Sequence, residues 1–185
     1  GHPEPFIARL RGNLKKELVY SESQSRAKRV VSAKKRRATD PVTVGDLVVL
    51  DSSGETIDQV LPRTSEMARK SPTTGEQHVL VANLDTLVIQ LSAANPDPNL
   101  WMLDRFIVVA ENQEIAVEIV VNKIDTASDL SALEALFEPY VRVGYYVQYT
   151  SARVGIGVDH FRSRLAGRIT ALTGNSGVGK SSLVN

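Results

Sequence analysis

A glycine-rich segment with one lysine and adjacent serines stands near the end of the sequence. Residues 174–182 read GNSGVGKSS, which fits the pattern G-x-x-x-x-G-K-[ST], and they directly follow the apolar run Ile169–Leu172. A strand, a glycine-rich turn and a new helix in this order suit phosphate binding. Glycines let backbone N–H groups close around a phosphate, and the helix N-terminus adds partial positive charge. The segment, called the phosphate loop below, therefore predicts nucleotide binding; the alternative is a chance glycine-rich turn.

The polar residues of the phosphate loop have distinct predicted roles. The Lys180 ammonium would reach the β- and γ-phosphate oxygens and stabilise charge that develops there, so it is the candidate catalytic residue. The Ser181 hydroxyl would bind Mg²⁺. The candidate phosphate-binding residues are Gly174, Asn175, Ser176, Gly177, Val178, Gly179, Lys180, Ser181 and Ser182.

A second candidate loop reads NKID and follows the apolar segment Ile115–Val121. A carboxylate here can accept two hydrogen bonds from guanine, from N1–H and the exocyclic amine, whereas adenine presents no such pair of donors. Asp125 is therefore predicted to read guanine, while Asn122 ties the loop to neighbouring backbone and the Lys123 stem lies along the base. The candidate residues of this loop are Asn122, Lys123, Ile124 and Asp125. The alternative is an ordinary strand-to-helix turn.

A third candidate loop, Thr150-Ser151-Ala152, follows the run Tyr145–Tyr149. A backbone N–H of Ser151 or Ala152 could reach the guanine carbonyl, although a Ser-Ala pair alone is a weak signal. The three loops fall at the ends of three predicted strands, where one nucleotide could touch all of them. Together they predict a site for GTP or GDP with Mg²⁺, and NKID disfavours a P-loop ATPase or a small-molecule kinase.

The elements that must position these loops alternate between strand and helix patterns. Leu87–Leu91 resembles a buried parallel strand, and apolar residues at helical spacing follow Asn99, a candidate helix cap. Further helices are expected at Asp129–Tyr140 and Asp159–Leu165. The sequence from residue 78 therefore predicts an α/β domain with a mainly parallel sheet.

The first part of the chain has a different pattern, of short β-type runs separated by turn residues. The runs are Phe6–Arg11, Val42–Val44, Leu47–Leu50 and Thr56–Leu61. They predict an OB-like small β-barrel over residues 1–70, interrupted between Leu18 and Asp40 by a basic insertion that reads as a long loop. A linker over residues 71–77 and the α/β domain over residues 78–185 would follow.

Positive charge is concentrated at the N-terminus. Up to Asp40 there are eleven Lys and Arg against four Asp and Glu, although the whole chain carries a net charge of only +1. The centres are Arg26–Arg29 and Lys34–Arg37, whose density suits a nucleic-acid phosphate backbone. Few aromatic residues stand nearby, so contact with phosphates is expected rather than base stacking. The alternative is a solvated, flexible loop.

Composition excludes several classes of protein. With 42% hydrophobic and 23% charged residues and no apolar run long enough to span a membrane, we expect a globular, cytoplasmic protein without a membrane role, and a monomer. The chain has no cysteine, which excludes a disulfide framework and cysteine-ligated zinc within these residues. His78 and His160 are interpreted as structural or surface residues, because no second ligand stands at suitable spacing.

The three loops resemble those of P-loop GTPases, but their order is unusual: NKID first, Ser-Ala second and the phosphate loop last. This order resembles that of a circularly permuted GTPase. From about Val44 to Asn185, several motifs recur in the order seen in the bacterial small ribosomal subunit-dependent GTPase A family. They are Val44-Gly45-Asp46, Val60–Arg63, Ala82–Asp85, Pro98–Leu100, Asp104–Phe106, NKID and Gly174–Leu183.

The resemblance implies an OB-fold, a permuted GTPase domain and a zinc-bearing C-terminal domain. It also implies late maturation of the small ribosomal subunit, contact with its rRNA and ribosome-stimulated GTP hydrolysis. The zinc domain, both switch segments and the D-x-x-G motif expected after the phosphate loop are not in this sequence, so we expect a piece, or the ordered part, of a longer protein and assign no water-orienting group. Two alternatives stay open: a GTP-sensing RNA or protein scaffold with negligible turnover, and a permuted GTPase of large-subunit assembly, which the preceding barrel disfavours.

Overall fold

The computed structural model describes residues 7–11, 14, 16–20, 30–35, 41–71, 73, 75 and 77–185. The chain divides into two compact units, Gly1–Ala82 and Asn83–Asn185. Within the described residues, no helix is long and apolar enough to cross a membrane. The domain boundaries derived from the sequence, at residues 70 and 77, stay a prediction.

The described part of the first unit is built from short strands. They are β1 (Arg9–Leu10), β2 (Lys16–Tyr20), β3 (Val30–Lys35), β4 (Val48–Leu50), β5 (Thr56–Val60), β6 (Glu66–Lys70) and β7 (Gln77–Ala82). Strand β5 lies between β1, to which it is parallel, and β4, to which it is antiparallel. The pairs β2–β3 and β6–β7 are antiparallel. The predicted strands around β4 and β5 are confirmed, whereas closure of these sheets into an OB-like barrel stays a prediction.

The basic segment differs from its expected loop conformation where the structure describes it. Strand β3 and the last three residues of β2 lie within the stretch expected as a loop, and Lys34 and Lys35 belong to β3. The aromatic and β-branched residues of Leu18-Val19-Tyr20 and Val30-Val31 favour extended backbone, and the surrounding charges obscure this pattern in the sequence. Arg26–Arg29 and Arg36–Arg37 lie outside the described residues.

A buried ion pair joins the loops on either side of β4 and β5. The Asp46 carboxylate, whose side chain is fully buried, accepts hydrogen bonds from Arg63 at 2.7 and 2.9 Å and from the Thr43 N–H at 2.7 Å. Arg63 also donates to Glu66 at 3.1 Å. The Arg63 hydrogen bond is the main cause that lowers the pKa of Asp46 below its ordinary value. Asp46 therefore stabilises these loops as a carboxylate.

The second unit alternates strands and helices, as the sequence predicts. Its elements are β8 (Thr86–Ser92), α1 (Leu100–Glu111), β9 (Ala116–Asn122), α2 (Leu130–Arg142), β10 (Tyr146–Tyr149), α3 (Val158–Leu165), β11 (Thr170–Thr173) and α4 (Lys180–Val184). The strands form one parallel sheet in the order β10-β9-β8-β11. The expected α/β fold with a mainly parallel sheet is thereby confirmed for this unit.

Local sequence explains where the longer helices begin. The Asn99 side chain accepts a hydrogen bond from the Met102 N–H at 2.9 Å and starts α1, as predicted. The Asp129 side chain starts α2 in the same way, with Ala132 N–H as donor at 3.0 Å. Helix α1 buries Leu103, Ile107 and Ala110.

The sheet presents one face to α3 and α4. Val88 of β8 and Val120 of β9 pack there with Phe161 and Leu183 in a buried cluster. Since alternate residues of a strand share a face, Gln90 and Asn122 lie on the same face of their strands, two residues nearer the carboxyl ends. The fold thus brings two buried amide side chains towards the end of the sheet where the predicted loops lie.

Candidate nucleotide-binding site

The phosphate loop lies against the carboxyl end of the sheet so closely that two of its glycines are required. A Cβ on Gly174, where φ is +146°, would lie 2.1 Å from the backbone oxygen of Gln90. A Cβ on Gly179, where φ is +90°, would lie 2.6 Å from Nδ2 of Asn122. Both positions therefore exclude a side chain on grounds of space as well as backbone conformation. The loop backbone, called the glycine cradle below, therefore lies directly against the sheet, and its contact with phosphates stays a prediction.

Lys180 begins α4 and turns back over the loop. Its Nζ donates hydrogen bonds to the carbonyl oxygens of Gly174 and Asn175, each at 2.8 Å. These contacts use two of the three donors of the ammonium group. They hold the charge above the glycine cradle, where the first N–H groups of α4 also have no intrahelical acceptor. Ser181 follows in the first turn of α4 and is exposed.

Asn122 connects all three predicted loops. It is 2% exposed, and its Nδ2 donates to the Val178 carbonyl of the phosphate loop at 3.1 Å. Its Oδ1 accepts hydrogen bonds from the Ala152 N–H at 3.1 Å and from the Thr150 hydroxyl at 3.3 Å. The loops at the ends of β9, β10 and β11 are thereby held by one side chain, at the predicted edge of the sheet.

Asp125 is held by the third candidate loop, Thr150-Ser151-Ala152, called the Ser-Ala loop below. The Ser151 hydroxyl donates to Oδ1 of Asp125 at 2.5 Å, and the Ile124 N–H donates to the Thr150 carbonyl at 3.2 Å. The Asp125 side chain keeps 16% of its surface exposed, and the Arg153 guanidinium lies 4.0 Å from Oδ2. Of the two carboxylate oxygens, Oδ1 is thus the one that holds the side chain in place, through its hydrogen bond from Ser151.

The N–H groups of the Ser-Ala loop already have partners within the protein. The Ser151 N–H donates to the Ile156 carbonyl at 2.9 Å, and the Ala152 N–H donates to Asn122. Contact between one of these groups and a guanine carbonyl therefore stays a prediction.

A further loop, between β8 and α1, also contributes to the site and was not anticipated from the sequence. The Lys123 ammonium donates to the Asn95 carbonyl of this loop at 2.5 Å, and Lys123 itself adopts the left-handed conformation at φ 63°. Pro96 lies near the phosphate loop, since a Cβ on Gly177 would be 3.6 Å from its Cδ. Nothing in the spacing of motifs points to a backbone carbonyl, which explains why Asn95 was missed.

Gln90 was also missed, although the sequence carries a signal for it. Its Nε2 donates to the Val178 carbonyl at 2.9 Å, and the side chain is completely buried. It is the one amide in the apolar run Leu87–Leu91. An amide within an otherwise apolar parallel strand requires a polar partner, and a partner at the carboxyl end of the strand could have been sought in the loops there.

The described residues contain no group of three His, Cys, Asp or Glu side chains that could hold a metal ion. His78 lies in β7, and Nε2 of His160 lies 2.8 Å from the Tyr146 hydroxyl. A magnesium ion bound with a nucleotide uses phosphate oxygens and few protein ligands, so the Ser181 hydroxyl fits the predicted role without such a cluster.

Comparison with known proteins shows the family to which this chain is similar. The family model described as RsgA GTPase matches residues 60–185. A protein of Gemmatimonas aurantiaca, named small ribosomal subunit biogenesis GTPase RsgA, is 38% identical over 98% of this chain and 55% of its own length. A protein of the same name from Porphyromonas gingivalis is 39% identical over 80% of this chain and 50% of its own length. The chain thus spans about half the length of the curated relatives that it matches.

Two solved structures share this fold. The crystal structure of YjeQ from Thermotoga maritima is similar with a TM-score of 0.64 and 33% identity over 78% of this chain and 50% of its own. YloQ, described as a circularly permuted GTPase, is similar with a TM-score of 0.62 and 25% identity over 99% of this chain and 64% of its own. The family match covers all three loops joined by Asn122 and confirms the resemblance drawn from the motifs, so the chain belongs to the RsgA GTPase family.

Proposed function

We propose that this chain forms the guanine-nucleotide site of a GTP-hydrolysing factor in maturation of the small ribosomal subunit. The observation that carries the proposal is the hydrogen bonding of Asn122, which joins the phosphate loop to both candidate base loops. One nucleotide in contact with these loops would have its phosphates and its base fixed by one rigid network. The names of the relatives supply the biological context, since they are small ribosomal subunit biogenesis GTPases.

In this proposal the base pocket selects guanine through Asp125. Ser151 occupies one carboxylate oxygen without neutralising its charge, so the carboxylate can accept the two N–H groups on the guanine edge. The Lys123 stem would lie along the base while its ammonium holds the Asn95 carbonyl. The residues assigned to this pocket are Asn122, Lys123, Ile124, Asp125, Ser151 and Ala152.

The phosphates would lie in the glycine cradle, where backbone N–H groups and the N-terminus of α4 provide positive potential. Lys180 would exchange its two carbonyl partners for phosphate oxygens, because hydrogen bonds between charged groups are stronger than those to neutral carbonyls. Its charge would then stabilise the transition state for phosphoryl transfer. Ser181 would hold Mg²⁺, which neutralises charge on the β- and γ-phosphates when bound.

The remaining parts of the proposal concern the whole protein. We place the β-strands of the first unit in an OB-like barrel that contacts rRNA together with the basic segment, and we propose a cytoplasmic monomer. Zinc would belong to a further C-terminal domain of the kind that the resemblance implies. These assignments are supported by family membership and by the charge of the N-terminal region.

The decisive experiment measures GTP hydrolysis by the full-length protein with purified small subunits, with large subunits or with neither. We expect strong stimulation by small subunits alone, and loss of turnover in Lys180→Ala. Stimulation by large subunits instead would support the alternative of a large-subunit factor. Nucleotide binding without turnover under any condition would support a GTP-dependent scaffold.

A further inference from the structure

A buried amide in the central part of the sheet calls for a functional explanation. Gln90 lies in β8 between Ile89 and Leu91, and none of its surface is exposed. Burial of an amide is unfavourable unless its polar atoms find partners. Its Nε2 has one in the Val178 carbonyl, at 2.9 Å, but its Oε1 is buried without a hydrogen-bond partner in the described part of the chain. Fold stability alone would favour an apolar side chain here.

The carbonyl that Gln90 holds belongs to the phosphate loop. Val178 is 2% exposed, and its carbonyl oxygen also accepts a hydrogen bond from Asn122 at 3.1 Å. Two donors, from neighbouring strands β8 and β9, thus occupy the two lone pairs of this oxygen. The same peptide unit carries the N–H of Gly179. Because a trans peptide is planar, with its C=O and N–H pointing in opposite directions, fixing the carbonyl towards the sheet fixes this N–H away from it.

We infer that Gln90 is a positioning residue for the nucleotide phosphates. By holding the Val178 carbonyl against the sheet, it orients the Gly179 N–H as a phosphate donor before the nucleotide arrives. Preorganised donors bind more tightly because no reorganisation accompanies binding. This inference rests on the proposed function, in that the phosphate loop binds a guanine nucleotide.

The test removes the donor while keeping the shape of the side chain. Gln90→Met has a similar length and no N–H, and the Val178 carbonyl keeps its hydrogen bond from Asn122. GDP binding is measured by titration calorimetry on the full chain. We expect affinity to fall about two- to tenfold, the range that corresponds to one neutral hydrogen bond. The unfolding temperature should stay equal or rise, since the unpartnered Oε1 is removed as well.

A matched control lies on the same strand. Thr86 is on the same face of β8 as Gln90, is 1% exposed and also has an oxygen without a hydrogen-bond partner among the described residues. It lies at the opposite end of β8 from the phosphate loop. Thr86→Val therefore removes a buried polar group of the sheet without touching the loop, and its GDP affinity should equal that of the wild type.

A second variant separates positioning from packing. In Gln90→Glu, a protonated carboxyl can donate to the Val178 carbonyl, whereas an ionised carboxylate cannot and would repel it. Burial raises the pKa of such a carboxyl, so the neutral form persists towards neutral pH. GDP affinity relative to the wild type should therefore be near one at pH 6 and fall as the pH rises to 8.5, with thermal unfolding measured at each pH to confirm the fold.

The possible results are distinct. Wild-type GDP affinity in Gln90→Met, or an equal loss in Thr86→Val, would overturn the positioning role while leaving the nucleotide site in place. Wild-type GDP affinity of Gln90→Glu at a pH where its carboxyl is ionised would also contradict it. If the wild-type chain itself failed to bind GDP, the proposed function would fall, and this inference with it.

Discussion

At the scale of single residues, the proposed selection of guanine depends on one carboxylate, that of Asp125. Asp125→Asn replaces an acceptor by an amide that presents a donor to the guanine edge. GTP affinity should fall by a factor on the order of ten to a hundred, the range for hydrogen bonds that involve a charged group. Xanthosine triphosphate should be favoured in return, because xanthine has a carbonyl where guanine has its amine. Competition between the two nucleotides for the wild type and for the variant measures this change in preference.

The control for this substitution is a carboxylate that has no predicted role in nucleotide binding. Asp159 lies in the first turn of α3, and its side chain is fully exposed. Asp159→Asn makes the same chemical change and should leave both affinities as they are. Wild-type affinity for GTP in Asp125→Asn would contradict the assignment of guanine recognition to Asp125, even if the phosphate loop binds the nucleotide.

The close approach of the phosphate loop to the sheet gives a second prediction at this scale. Gly174 and Gly144 both have positive φ, but only at Gly174 would a Cβ meet another group, 2.1 Å from the Gln90 oxygen. Gly144→Ala should lower the free energy of unfolding by about 1–2 kcal/mol, the cost of the left-handed conformation. Gly174→Ala should lower the free energy of unfolding clearly more and should weaken GDP binding, because the loop and β8, which contains Gln90, must move apart.

Urea denaturation of the two alanine variants, followed by circular dichroism, measures this difference. Gly144→Ala reports the cost of backbone conformation alone, since its Cβ would find no atom within 4 Å. Equal losses of stability in the two variants would show that the contact with Gln90 contributes nothing beyond backbone strain.

At the scale of secondary structure, the second unit was readable from its sequence. Parallel strands that are buried on both faces have continuous apolar runs, and helix starts carry caps such as Asn99 and Asp129. The predicted strand Ile115–Val121 differs from β9 by only one residue at each end. Because carboxyl ends of parallel strands share one edge, the convergence of the three loops could also be predicted.

Other features depend on contacts that no periodic pattern records. Strand β6 reads Glu-Met-Ala-Arg-Lys and pairs with β7 through backbone hydrogen bonds, so its charged side chains give no strand signal. Its turn is closed by Gly75, whose N–H donates to the Ser71 carbonyl at 2.9 Å. Within the site, the sequence indicated which residue types would meet. It could not indicate that Gln90 and Asn122 hold the same carbonyl, because that depends on side-chain geometry.

The ion pair of Asp46 and Arg63 predicts how the loops around β4 and β5 respond to acid. Arg63 lowers the pKa of Asp46 below its ordinary value of 3.8. The pair therefore contributes its full stability above that value, and the contribution is lost as the pH falls through the lower folded-state pKa. Asp46→Asn should be less stable than the wild type by about 1.5–3 kcal/mol at pH 7, the range for hydrogen bonds to charged groups. This gap should narrow as the pH falls below about 4.

Denaturant unfolding of the wild type and of Asp46→Asn at several pH values between 7 and 3 measures their difference in stability directly. Glu138→Gln serves as the control, because Glu138 is exposed and only loosely paired with Arg142 at 3.7 Å. A gap between wild type and Asp46→Asn that stays constant down to pH 3 would show that the Arg63 contact does not shift the titration of Asp46.

At the scale of the whole molecule, charge and chemistry are distributed unequally along the chain. The predicted guanine-nucleotide chemistry lies entirely within the second unit, Asn83–Asn185, whereas eleven of the 22 Lys and Arg residues precede residue 41. If the N-terminal charge contacts rRNA as we propose, nucleotide binding and RNA affinity can be altered by separate substitutions. Lys180→Ala should then leave the salt dependence of small-subunit binding unchanged in the absence of nucleotide.

Neutralising part of the basic segment tests whether it contacts rRNA phosphates. The measured quantity is the dependence of small-subunit affinity on salt concentration. Each phosphate contact contributes about 0.7–0.9 to the slope of log affinity against log salt concentration, so Arg36→Gln with Arg37→Gln should reduce the slope by roughly 1.5. Arg142→Gln with Arg162→Gln removes the same net charge from exposed helix positions of the second unit. If net charge alone governed binding, both pairs would change the slope equally. A change confined to the N-terminal pair would place the phosphate contacts in the basic segment.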